Sequence, residues 1–120
     1  MTQLGRVEAE DRPGLRLLRI VGDVDLSNAA SLSSELQAAI ANDPPTVVID
    51  LTETGYLDSM GVELLFRLAE RLHGRRHRLH LVIPPGVPVR SVIELTGLSD
   101  LVPVWEALAD VPAEPGDRSA

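Results

Sequence analysis

Cysteine is absent from the chain. That excludes a disulfide framework, a thiolate metal site and a thiol nucleophile, and it agrees with a cytosolic setting. Aromatic residues are nearly absent too: one Trp, one Tyr and one Phe among 120 residues. Gripping bases or sugars by ring stacking is disfavoured without rings, and the core has to be aliphatic. No apolar run approaches the roughly 20 residues that span a bilayer. Met1 to Glu10 lacks the basic stretch and apolar run of a secretory signal. Neither common glycine-rich phosphate loop occurs. These absences predict a cytoplasmic protein with no membrane insertion.

What is present suits one domain of ordinary size. Hydrophobic residues make up 44% of the chain, enough for a packed interior, and the formal net charge is −7. Such a surface repels phosphate backbones and anionic lipid, so no nucleic-acid partner is expected. Pro112 to Ala120, rich in Pro, Gly, Ala and charge, reads as a disordered tail.

The pattern predicts a weak strand over Leu4–Glu10, a turn at Pro13-Gly14 and a firmer strand over Leu15–Val21. Gly22-Asp23-Val24-Asp25 is expected to turn the chain, with Ser27 or Asn28 capping a helix to about Ala41. Leu32, Leu36, Ala39 and Ile40 form the apolar stripe of that helix, and Asn42-Asp43-Pro44-Pro45 ends it. Thr46–Leu51 reads as a central strand, β-branched and buried on both faces. Thr52–Leu57 is expected to be a loop turning at Gly55, and Ser59 to begin a helix ending near His73-Gly74. A strand over Leu79–Ile83, a helix over Val89–Thr96, a short strand near Leu101–Val104 and a small helix from about Trp105 complete the chain. Strands alternating with single helices predict an α/β fold with parallel crossovers.

Asp58-Ser59 is the most informative pair. It stands where the loop after the central strand becomes a helix, the region in which α/β folds place their sites. Asp and Ser are favoured there as helix caps for local reasons alone. A serine at that position is also a phosphoacceptor open to a kinase: a phosphate would meet unpaired backbone N–H groups and the positive end of the helix dipole. Its added charge, about −1.5 to −2, would change a docking surface without unfolding the chain. Both readings can hold together. A serine hydrolase would need a base beside Ser59, yet His73, His77 and His80 fall at or beyond the far end of the same helix, and no G-x-S-x-G elbow exists. The histidine cluster lacks a carboxylate partner for a metal and reads, with Arg75, Arg76 and Arg78, as a solvated helix end. Asp23 and Asp25 suit a turn; parallel crossovers could bring them to the same rim as Asp58.

Three stretches together resemble the STAS family, in particular the bacterial anti-sigma factor antagonists. They are Gly22-Asp23-Val24-Asp25-Leu26; Val47-Val48-Ile49-Asp50-Leu51 followed after six residues by Asp58-Ser59-Met60-Gly61; and Val89 to Leu101. The resemblance implies a mixed sheet of four or five strands packed against about four helices, with residues 1–111 as the domain. It implies a binding protein rather than an enzyme, without a cofactor. Ser59 would be phosphorylated by the partner, an anti-sigma factor that is also a serine kinase. The unphosphorylated form would bind that partner and release sigma factor, and a metal-dependent serine phosphatase would reset the switch. Asp25 matches the family's loop aspartate and Asp58 the residue before the acceptor. Asp23 and Gly61 support the site, and Met60 replaces a commoner small residue. The alternative carried by the same resemblance is an accessory subunit of a lipid or anion transport complex, with no phosphoswitch.

Overall fold

A computed structural model describes residues 4–40 and 46–112. β1 (Arg6–Arg12) and β2 (Leu15–Val24) form an antiparallel pair, in register from Arg6 opposite Val21 to Arg12 opposite Leu15. The turn between them needs Gly14, whose φ is 78°. α1 (Ala29–Ala39) leads to β3 (Thr46–Asp50), parallel to the first half of β2. β4 (Thr54–Leu57) pairs parallel with the far end of β2. α2 (Ser59–Gly74) crosses back to β5 (Arg78–Val82), parallel to β3. α3 (Val89–Leu95) and α4 (Leu98–Leu101) precede β6 (Val104–Trp105), parallel to β5, and a 3-10 turn follows at Leu108–Asp110. The sheet order is β1-β2-β3-β5-β6, with β4 beside β2. The architecture is the expected mixed sheet, and the described residues give it four α-helices and six strands.

The two sides of the sheet are unequal. Leu18 and Ile20 of β2, Val47 and Ile49 of β3, and Leu81 of β5 pack with α1 to α4 in one aliphatic core. Leu32 and Leu36 of α1 and Leu65, Leu68 and Leu72 of α2 complete it, at the helical spacing seen in the sequence. Each fully buried leucine contributes about 1.5–3 kcal/mol. The other side holds a small cluster, Leu17, Val48 and Val82, covered by Leu15, Leu108 and Val111. β3 is therefore buried on both faces, which explains its unbroken Thr-Val-Val-Ile run. The Arg16 side chain reaches from β2 to the Ala39 carbonyl, closing the end of α1.

The structure departs from the pattern reading in three places. Gly22 to Val24 do not turn the chain. A register shift at Gly22, whose φ is 105°, lets β2 run on to Val24, and the turn begins after it. Thr52–Leu57 is not all loop, because Thr54–Leu57 finds a free edge on β2 and becomes β4. Leu98–Leu101 is helical, β6 starts only at Val104, and the final helix is a single 3-10 turn. α2 ends at Gly74 as expected, and the left-handed position beyond it falls on Arg76, with φ of 63°. Residues 42–45, and the tail from residue 113, lie outside the described residues.

Candidate functional site

The site is assembled by the register of β2 against β4. Asp23 lies opposite Tyr56 and Val24 opposite Leu57, so both strands deliver their last residues to one rim. The Asp58 N–H donates to the Val24 carbonyl at 3.1 Å, fixing the first residue beyond β4 against the last of β2. Asp58 then caps α2. Its Oδ1 accepts from the N–H groups of Met60 at 2.8 Å and Gly61 at 3.1 Å. Its Oδ2 accepts from the Leu26 N–H at 3.1 Å. One carboxylate therefore ties the β2–α1 loop to the head of α2. The capping reading of Asp58 is correct, and it alters the phosphate argument: the Met60 and Gly61 N–H groups are already taken.

Ser59, the first residue of α2, is exposed, and its hydroxyl has no hydrogen-bond partner among the described residues. Gly61 is buried, and a Cβ on it would stand 2.9 Å from Leu57 Cδ2 and 3.1 Å from Val24 Cγ1. Glycine there lets α2 sit against the two strand ends, so Gly61 supports the site from beneath. Met60 points outward beside a shallow hollow of about 300 Å³ between α1 and α2, shared with Ala30, Ser33 and Arg67.

Asp25 accepts from both the hydroxyl and the N–H of Ser27. The Ser27 hydroxyl above all, then the Ser27 N–H, hold its carboxyl below the ordinary carboxylate value, against a small opposing cost of burial. Asp23 leans over Gly55, where a Cβ would meet its Oδ1 at 2.7 Å. The structure thus brings Asp23, Asp25, Asp58, Ser59, Met60 and Gly61 to one place.

Three contributors were missed by the sequence reading. Asn28 precedes α1 as foreseen, but its side chain makes no cap bond to that helix. Buried to 8% exposure, it turns back, accepting from the Asp25 N–H at 2.9 Å and donating to the Asp23 carbonyl at 2.8 Å. It is the pin that shapes the acidic loop. Leu26 and Tyr56 are the others. With Met60 they are 73%, 53% and 37% exposed, three of the six exposed large apolar side chains among the described residues. Tyr56 and Met60 adjoin Asp58-Ser59 in sequence, and the Leu26 N–H donates to Asp58. An apolar residue in the turn signal Asp-Leu-Ser-Asn, and the chain's one Tyr, were the available clues.

Among the described residues no histidine stands beside Ser59. His73 follows it by 14 positions on α2, about 21 Å at 1.5 Å per residue. The histidines gather instead around a separate hollow at the other end of that helix. Among the described residues, no group of three or more His, Cys, Asp or Glu is placed to hold a metal ion. No helix among them is long and apolar enough to cross a membrane.

The model of the STAS domain matches residues 6–111. The chain belongs to the STAS domain family. This STAS domain is 31% identical to the anti-sigma-F factor antagonist RsfB of Mycobacterium tuberculosis, over 87% of this chain and 84% of that protein. The crystal structure of an anti-sigma factor antagonist from Mycobacterium paratuberculosis superposes with a TM-score of 0.80, at 30% identity, covering 88% of this chain and 89% of that one. The same unit also occurs inside larger proteins. A probable sulfate transporter of Arabidopsis thaliana is 30% identical over 90% of this chain, which corresponds to 19% of the transporter.

Proposed function

We propose that this STAS domain is an anti-sigma factor antagonist switched by phosphorylation of Ser59. The carrying observation is the exposed, unengaged Ser59 hydroxyl at the head of α2, in a segment that also exposes Tyr56 and Met60 and is tied through Asp58 to the exposed Leu26. Exposed apolar side chains gathered beside polar groups mark protein-docking surfaces. The similarity to RsfB supports an anti-sigma factor as the protein that docks there. On this reading the partner is also the serine kinase, and a metal-dependent serine phosphatase restores the hydroxyl. The setting is the cytoplasm.

The chemistry of the switch follows from Asp58. Its carboxylate already occupies the Met60 and Gly61 N–H groups of α2, so a phosphoryl group on Ser59 would have to compete with it for them. It adds about −1.5 to −2 charge beside a carboxylate. Its desolvation under a partner would be uncompensated. A loss of about 3 kcal/mol, roughly a hundredfold in affinity, is sufficient for release.

The test is incubation with the anti-sigma partner and ATP, read by mass spectrometry. Phosphate is expected on Ser59 alone; Ser59→Ala should take none and still bind, and Ser59→Asp should bind at least tenfold more weakly. Labelling at another residue, or full binding by Ser59→Asp, sinks the switch. The second reading, an accessory subunit of a transport complex, draws on the likeness to the sulfate transporter. Recovery of a membrane subunit from cells by Ser59→Ala and Ser59→Asp alike would favour it.

A further inference from the structure

The segment from His73 to His80 was expected to be a solvated helix end, and the fold gives it more shape than that. A hollow of about 320 Å³ opens at the far end of α2, walled by His73, His77, Arg78 and His80 and floored in part by Leu101 and Val102. That volume lies at the lower end of the range for small-molecule sites. Among the described residues no carboxylate lines it, and the sequence holds no Asp or Glu from residue 71 to residue 93. Arg75, Arg76 and Arg78 make no ion pair among the described residues, whereas arginines elsewhere, such as Arg6, Arg12 and Arg19, are paired with glutamates. In a chain of net charge −7 this is a cationic pole, opposite the acidic rim at Asp23, Asp25 and Asp58.

The turn that builds the wall is strained. Arg76 donates its N–H to the His73 carbonyl at 3.0 Å and His77 to the Leu72 carbonyl at 2.9 Å, a Schellman closure with Arg76 in the left-handed position. Glycine is the residue that fits there without strain. Retaining a non-glycine residue in such a conformation points to a use for its side chain. The same closure satisfies the Leu72 and His73 carbonyls near the end of α2. All 11 cationic side chains of the protein are arginine, whose planar fork suits oxyanions in two-point contact.

We infer that this hollow binds a small, soluble phosphate-bearing anion, gripped by Arg78 and His73 with Arg75 and Arg76 at the approach. The test uses the full chain and inorganic pyrophosphate, added at constant ionic strength and followed by amide chemical shifts. Saturable shifts are expected at residues 73–80 and 101–103. Arg78→Gln, at an exposed position, should weaken the apparent affinity about tenfold or more. Arg76→Gly should weaken it as well while raising the thermal midpoint, a combination a merely structural arginine would not produce. Arg6→Gln, on β1, should change nothing. The inference is overturned by the absence of saturation at millimolar pyrophosphate, by shifts spread over all the arginines, by an unchanged affinity in Arg78→Gln, or by capture of RNA at these residues while pyrophosphate leaves them untouched.

Discussion

Single residues at the two ends of α2 obey opposite rules about side-chain volume. Gly61, at the head, has no room: alanine there gains about 1 kcal/mol of helix propensity and loses about 1–3 kcal/mol by overpacking. We expect Gly61→Ala to lower stability by about 1 kcal/mol in denaturant unfolding, because Leu57 and Val24 are both buried and Val24 is stiff at χ1. Gly74, at the tail, has nothing within 4 Å of its would-be Cβ, so Gly74→Ala should stabilise by about 0.5–1 kcal/mol in the same measurement. Asp25 gives a prediction with a sign. Its carboxyl lies below the ordinary 3.8 because Ser27 binds the charged form. Its contribution is therefore present above the unfolded value and is lost as pH falls below 3.8 and through the depressed folded value. A carboxyl NMR titration should show a midpoint under 3.8 that rises toward it in Ser27→Ala; an unmoved midpoint would assign the shift to another cause.

At the scale of elements, Asp58 joins two that are distant in sequence, the β2–α1 loop and α2. Asp58→Ala removes the cap, costing about 0.5–2 kcal/mol, and also frees the Leu26 N–H. Hydrogen exchange at the Leu26, Met60 and Gly61 amides should then accelerate together; acceleration at Met60 and Gly61 alone would mean that the Leu26 bond is dispensable. Which elements were legible follows from how each is stabilised. α2 and β3 carry their signals locally, in leucines at helical spacing and in a β-branched run, and both were read from sequence to within a residue. β4 carries none: Thr-Gly-Tyr-Leu has a glycine, alternates poorly and exists because β2 offers an edge. The extension of β2 was hidden for the same reason, since Gly22-Asp23 has turn composition but sits in a bulge held from both sides. Of the site, the Asp58-Ser59 pair was legible because caps and strand–helix junctions leave a short motif. Asn28 as a loop pin was not, because a capping asparagine and a pinning one are the same residue until their partners are known. The exposure of Leu26, Tyr56 and Met60 was hidden as well, because exposure is decided by the whole fold.

For the whole molecule, the surface should change at Ser59 without a change in the body. Ser59→Asp is expected to keep the thermal midpoint of the parent to within a few degrees, since the hydroxyl holds nothing in place and exposed substitutions usually cost under about 0.5 kcal/mol. A fall of ten degrees or more would trace lost binding to unfolding instead. The body itself depends on its two unequal faces. Helices α1 to α4 seal one side of the sheet, while Leu17, Val48 and Val82 on the other are covered by Leu15 and, from later in the chain, by Leu108 and Val111. Replacing both Leu108 and Val111 by alanine should cost about 2–3 kcal/mol by area, far more than either residue's place near the chain's end would suggest. The same arrangement governs when folding can finish. β6 and the covering turn follow every other element in sequence, so a chain emerging from the ribosome can assemble its helical side early. It must then wait with bare valine and leucine on the reverse of the sheet until residue 111 is free. Through that interval the unsealed face is the part of the nascent chain most exposed to wrong partners and to chaperones.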